Sequence, residues 1–569
     1  MSHQLRHATV RILSPDTVTI PSPGRPQPLR RVDPRFLSVT LDYACLIGAP
    51  WWEGTRRTRT GFGHNSATPA DLGDPRLIAY ARALTPAFLR LGGSEADRIF
   101  YAFSTSAPPP GRRSESAFRS VLTRERWDEV GAFARQSGLE LFVTLNAGAG
   151  PRDGGGRWNP TNAEELITYT ADRGYPVAVW EFGNEVNGFP FIHGPGSHLT
   201  AGRYAADFTT FHDIVRRLAP RALTAGPASA YWPVAGELLP LLPRLVRRLR
   251  RLPDVITWHY YPQQSSRGLL ATRRADAEKI LTPRRLDSAA YWARRVMRHA
   301  RNMAAINELS ESVGVPRRDR AQPDYARPDC AQPSHALRDR ARPDQPQSDH
   351  ARPGRSRRAP EVWLGETGHA LYGGEPGVSD RYIAGLWWLD QLGLMARSGV
   401  RVVVRQSLLG GDYALLDTET LAPRPDYWNS LLWKRLMGES VYAVAHDGDA
   451  LLRVYAHNTP QRPQSITILL INLSHDREIE VSVDTETLGF TPTEFEIYAV
   501  TAEAPYARNI SINGRPPALP EHPLPRENST SPLGPPPGTF PGRGDSHNPG
   551  EPIVVPPLSY TFVVAARAL

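Results

Sequence analysis

Between residues 34 and 438, short apolar runs of strand character alternate with longer stretches in which apolar residues recur at helical spacing. Eight runs stand out, at 36–41, 88–91, 139–145, 177–182, 223–225, 255–258, 362–365 and 400–405, with predicted helices between them at 124–137, 162–173, 199–218, 284–313 and 380–397. Eight repeated βα units predict an α/β fold, a (β/α)8 barrel. From about residue 439 the pattern changes to short alternating strands such as 451–456, 465–471, 478–483 and 560–564, which predict a C-terminal β-sandwich. The domains expected are therefore an N-terminal segment, 1–33, able to add a strand to the sandwich, a barrel at 34–438, and a sandwich at 439–569.

Two stretches break the pattern. Residues 315–360 carry a degenerate repeat built on AQPD and ARPD, with too few apolar residues to bury a core. Residues 515–552 are dominated by Pro, Gly and Ser and read as a loop. The GRGDS string inside the latter is a chance product of that composition.

The chain has 569 residues, more than one hydrophobic core usually organises, and 40% of them are apolar, as in an ordinary folded protein. Its two cysteines, Cys45 and Cys330, are far apart, which argues against a disulfide framework or a clustered thiolate metal site. The opening residues lack the apolar run of a signal peptide, and no later stretch is apolar enough to span a bilayer. A cytoplasmic protein is expected, with export by an unconventional route left open. The net charge of +9 invites a polyanionic partner. Yet Lys279 and Lys434 are the only lysines, and 317–358 alone holds eleven arginines against six aspartates. Global basicity is thus weak ground for a partner, and nucleic acid is not expected to be one.

Barrel enzymes build their sites at the C-terminal ends of the strands. Here those ends carry Asp42, then Gly92-Gly93-Ser94, Asn146, Asn184-Glu185, His259 with Tyr261, Glu366, and Gln406. Carboxylates on strands four and seven face one another across the mouth of an eight-stranded barrel. Glycoside cleavage with retention needs such a pair: one carboxylate attacks the anomeric carbon, while the other protonates the leaving oxygen and later activates water. Glu185 is assigned as acid/base and Glu366 as nucleophile, with Asn184 placed to bond the sugar 2-hydroxyl. His259 and Tyr261 are expected to reach the carboxylate of Glu366 and hold it ionised and oriented. No HExxH or comparable cluster occurs among the sixteen histidines, so no metal and no cofactor are expected.

The strings FLSVTLD (36–42), LRLGGSEAD (89–97), WEFGNEVNGF (180–189), TWHYYP (257–262), VWLGETGHALYGGEPGVSD (362–380), VVVRQSLLGGDYALLD (402–417) and PDYWNSLL (425–432) together resemble glycoside hydrolase family 79, the heparanase and β-glucuronidase family. The resemblance implies a barrel with a β-sandwich, retention of configuration, and a subsite for a glucuronic acid carboxylate. It implies sugar-hydroxyl contacts from Asp42 and Ser94, and uronate contacts from the backbone amides of Tyr372, Gly373 and Gly374 and the hydroxyl of Tyr413. Against the animal members, the chain has only about thirty residues after Gly93 in place of a long excised segment, so proteolytic activation is not expected. It also lacks their lysine-rich clusters, for which Arg152 and Arg157 are the nearest substitutes. These departures point to a bacterial homologue.

The function expected is a retaining glycosidase acting on a glucuronic-acid-containing oligo- or polysaccharide. The short connection after Gly93 leaves little chain to wall off the cleft and favours heparanase-like endo cleavage. The alternatives are exo removal of terminal glucuronate and a non-catalytic polyanion-binding barrel.

Overall fold

A computed structural model describes residues 6–13, 26–53, 63–103, 118–232, 236–268, 274–312, 359–518 and 542–567. Eight parallel strands close into a barrel: Leu37–Asp42, Phe88–Gly92, Glu140–Leu145, Val177–Phe182, Leu223–Tyr231, Val255–Tyr260, Glu361–Thr367 and Val403–Arg405. They are hydrogen-bonded in chain order and the eighth pairs with the first. Each expected run holds a strand. The fifth extends six residues past Ala225, through an irregularity between Gly226 and Ser229, and the eighth begins only at Val403. The repeat segment 315–360 lies almost entirely outside the described residues.

The two-residue period of a strand sets the interior. At the base, Phe88, Phe142, Val179, Ala225, Val255, Trp363 and Val404 fill the barrel as one apolar cluster, with Phe88 stacked on Trp363 at 5.1 Å. Two residues further along, the same inward positions become Arg90, Thr144 and Glu181, all buried. This polar layer is the floor on which the strand-end residues sit.

The helices pack outside. Arg124–Ser137 begins at Thr123, whose side chain accepts from the Arg126 amide, and stops at Gly138 in the left-handed conformation. The long helix Tyr382–Ser398 is buried on nearly every side. The sandwich covers its outer face: Asp390, fully buried, accepts from Arg453 Nε at 2.7 Å and from the Tyr455 hydroxyl.

The sandwich strands form one curled sheet around a core that includes Val10, Val454, Ile468, Val481, Phe495 and Val563. The first strand of the chain, Arg6–Leu13, joins this sheet, antiparallel to Ser440–His446 and parallel to Ile479–Val483. Within 515–552, expected to be loop throughout, Asp545–His547 adds a short strand to Glu494–Thr501, because the Ser546 hydroxyl and Arg543 both bind Glu494. Among the described residues no helix is long and apolar enough to cross a membrane.

Candidate active site

A cleft of about 950 Å³, open mouth included, lies over the C-terminal ends of the strands. It is lined by Asp42, Ser94, Glu185, Tyr261, Glu366, Tyr372, Gln406 and Tyr413, among others. The carboxylates of Glu185 and Glu366 each present an oxygen within 4.8 Å of the other and of a His259 ring nitrogen.

Glu185 follows the fourth strand in a left-handed conformation (φ 53°), which costs a residue with a Cβ on the order of 1–3 kcal/mol and persists only where the surroundings enforce it. The enforcement is visible. Asp97 accepts from the Asn184 amide at 2.9 Å and from the Ala147 amide at 2.8 Å, while the Glu185 amide donates to Ala228 O at 3.0 Å. The Glu185 side chain is 14% exposed, and burial pushes its carboxyl up to about 7, against the pull of the Arg90 charge.

Glu366, on the seventh strand, is held differently. The Tyr261 hydroxyl donates to its Oε1 at 2.7 Å and Arg90 Nη1 donates to its Oε2 at 2.9 Å. Burial, with the Glu366 charge adding, pushes the Tyr261 phenol well above its usual range, so it stays a donor. Two donors aimed at two oxygens match a carboxylate acceptor.

His259 departs from expectation. Its Nδ1 lies 3.1 Å from Glu185 Oε1 and 3.8 Å from Glu366 Oε2. A register irregularity between Trp258 and His259 pairs His259 with Glu366 along the ladder, yet the ring nitrogen lies nearer the other carboxylate. Burial pulls the imidazole down to about 4, leaving it neutral. Glu185, His259 and Glu366 converge closely enough to bracket a cation, but the Arg90 guanidinium already supplies positive charge to Glu366 there.

Asn184 is held by one end of its side chain. Its Oδ1 accepts from Arg90 Nη2 at 2.8 Å and from the Gly93 amide at 3.2 Å, which leaves only its Nδ2 to meet a ligand. Asn146 braces its own turn, with Nδ2 on Ile99 O and Oδ1 on the Gly148 amide, and does not line the cleft.

Asp42 Oδ1 accepts from the Ala44 amide and Oδ2 from Gln406 Nε2 at 3.1 Å. Burial, with the Glu366 charge adding, pushes its carboxyl up to about 8. A Cβ on Gly93 would sit 1.9 Å from Asp42 Oδ2, so glycine just past the second strand is a steric requirement. Ser94 then opens a short 3-10 helix at the rim.

Tyr372, Gly373 and Gly374 form a turn with φ values of 68°, 78° and 81°. A Cβ on Gly373 would collide with Trp52, against whose ring Tyr372 packs at 4.9 Å. The Gly374 amide donates to Ala370 O at 3.1 Å, so the expectation that it faces a ligand is corrected. Among the described residues, the amides of Tyr372 and Gly373 have no acceptor. The Tyr413 ring lies beside Tyr261, with centroids 6.3 Å apart.

Two contributors went unassigned from sequence. Arg90, fully buried, binds Glu181 Oε2 through Nε and Nη2 at 3.0 and 2.8 Å while reaching Glu366 and Asn184. The signal was there: a charge at an inward position between apolar neighbours in FLRLG. Glu375 ties the turn to the loop after the sixth strand, accepting from the Ser266 and Ala275 amides. Of the two substitute cations, Arg152 is spent on Asp207 at 2.8 Å and Ala147 O at 2.7 Å, whereas Arg157 is exposed.

Comparison with known proteins agrees with this architecture. The family profile described as "Glycosyl hydrolase family 79, N-terminal domain" matches residues 27–303. Heparanase-like protein 1 of Arabidopsis thaliana is 30% identical over 482 residues, covering 80% of this chain and 74% of that protein. Mouse heparanase is 28% identical, covering 89% of each chain, and baicalin-beta-D-glucuronidase of Scutellaria baicalensis is 25% identical, covering 86% and 83%. Among solved structures, an α-L-arabinofuranosidase from Thermotoga maritima shares the fold with a TM-score of 0.57 at 13% identity, covering 98% of this chain and 99% of that one.

Proposed function

Because the chain belongs to glycoside hydrolase family 79, we propose that it cleaves β-linked glucuronic acid with retention of configuration, Glu366 acting as nucleophile and Glu185 as acid/base. The carrying observation is the pair itself. Its carboxylate oxygens approach within 4.8 Å, in keeping with the ~5–5.5 Å between carboxyl groups of retaining enzymes and short of the ~6.5–9.5 Å an inverting water requires. Their environments are also unequal, as two roles demand.

In the first step Glu366, steadied by Arg90 and Tyr261, attacks the anomeric carbon as the glycosidic bond breaks. Glu185, kept protonated near neutral pH by burial, gives its proton to the departing oxygen. Once Glu366 is esterified it no longer offsets the Arg90 charge. The pull of that charge on Glu185 then strengthens, and Glu185 serves as base for the incoming water. Asp42, Ser94 and Gln406 hold sugar hydroxyls. The Tyr372 and Gly373 amides, with the Tyr413 hydroxyl, receive the uronate carboxylate.

The described lining of the cleft holds Asp42, Glu95, Glu185 and Glu366 and no arginine or lysine. This favours a leaving group of low charge and the exo mode, release of terminal glucuronate. A second reading, endo cleavage inside an acidic polysaccharide, draws support from the heparanases among the relatives and from a neighbouring groove. That groove shares Asn187 with the cleft and is lined by His198, Thr200, Arg244 and Arg248.

The mechanism is tested with 2-deoxy-2-fluoro-β-glucuronyl fluoride followed by peptide mapping: a covalent sugar on Glu366 is expected. Adduct on another residue, or an α-configured product by NMR, refutes it. Product sizing on heparan sulfate beside a small glucuronide separates the two modes.

A further inference from the structure

We infer that the leaving-group side of the cleft is a preformed apolar platform that selects β-glucuronides of flat, uncharged aromatic aglycones. This rests on the glucuronidase reading above and adds the substrate class.

The side is fixed by the acid. The group that protonates the glycosidic oxygen must touch it, so the aglycone departs over the loops that carry and adjoin Glu185. Those loops follow the fourth and fifth strands, and the side chains they turn to the cleft are Phe191, Ile192, Trp232 and Leu238, with Leu371 opposite. Phe191 is 63% exposed and Leu238 41%, an unusual amount of apolar surface to leave in water beside a catalytic pair.

The platform is braced independently of any ligand. Arg98 donates to Ile192 O and to His193 Nδ1, both at 3.0 Å, and the Ser197 hydroxyl donates to Phe189 O at 2.8 Å, which together pin the short helix Phe189–Ile192. Asn187 clamps the first of these loops to the end of the fifth strand, donating to Ala230 O at 3.0 Å and accepting from the Ala230 amide at 2.8 Å. Trp232 is fixed by paired backbone bonds with Gly236 at 2.8 and 2.9 Å. A rigid surface of this kind binds without an ordering cost, and its aromatic rings match a planar π-system. Arg98 is turned into the loop as its brace, and no arginine or lysine is among the described residues that line the cleft, so a sulfated or carboxylated aglycone meets no counter-charge there.

The test compares kcat/KM of the full-length protein on phenyl and 2-naphthyl β-glucuronide, leaving groups of similar acidity but different apolar area, and on a sulfated glucuronate-containing oligosaccharide. We expect the naphthyl substrate to be favoured at least about tenfold over phenyl, and Phe191→Ser to cut that ratio at least about fivefold, chiefly through KM. Leu238→Ser gives a second variant should the first fold poorly. A ratio near one, a ratio unchanged in both variants, or a preference for the sulfated substrate overturns the inference while leaving the glucuronidase reading intact. No turnover of any glucuronide by the folded protein overturns both.

Discussion

Replacing Glu185 by Gln should make the protein more stable, and by an amount that depends on pH. Burial raises this carboxyl from its ordinary 4.5 to about 7, so the fold favours the neutral acid over the carboxylate. The sign follows directly. A group raised in the folded state contributes stability that is fully present below the unfolded value near 4.5, and that is lost as pH rises through about 7. The interval corresponds to about 3 kcal/mol, an upper figure because 14% of the side chain meets solvent. Glutamine is a near-isosteric neutral group that still meets His259 and does not titrate. The variant and the parent should therefore have similar melting temperatures at pH 4.5 and diverge as pH rises. At pH 8 the variant should melt roughly 3 °C higher. Differential scanning calorimetry in matched buffers measures this. The same variant should hydrolyse glucuronides of poor leaving groups at least about a thousandfold more slowly. A melting difference that stays flat between pH 4.5 and 8 would mean that Glu185 is not held neutral by its surroundings, and the acid assignment would lose its physical basis.

Arg90→Met strands Glu181 and Glu366 as buried carboxylates and should cost about 3–5 kcal/mol, visible as a large drop in melting temperature. Adding Glu181→Gln should restore much of that stability without restoring turnover; recovery of both would confine Arg90 to a structural part. A β-glucoside should be turned over at least about a hundredfold more slowly than the matching β-glucuronide, because it forfeits the charge-assisted bonds to the Tyr372 and Gly373 amides and the Tyr413 hydroxyl. Similar rates on the two would remove the uronate pocket. Replacing residues 317–358 with a short Gly/Ser linker should leave kcat on a small glucuronide within about twofold, since the segment joins the helix Pro283–Ser312 to the base of the strand Glu361–Thr367, on the face away from the cleft. Loss of activity in a folded deletion would contradict that placement.

What the chain determined by itself is what local periodicity carries. The strand Val177–Phe182 and the helix Arg124–Ser137 have the bounds their patterns predict, because strand and helix periods are properties of neighbouring residues. The strand ends, and so the list of polar groups at the mouth, follow from the same reading. The tertiary structure decided who touches whom. His259 lies nearer Glu185 than Glu366 even though the ladder slips between Trp258 and His259 to pair it with Glu366, and no alternation of residue types reports a one-residue slip or the ring's direction. Gly374 gives its amide to Ala370 within its own turn, and Asn184 gives its carbonyl to Arg90, 94 residues away on the second strand. Arg90 could be seen as a charge inside an apolar strand, but its partners Glu181 and Glu366 lie 91 and 276 residues along the chain. Only closing the barrel, with the eighth strand against the first, brings them within 3.0 Å.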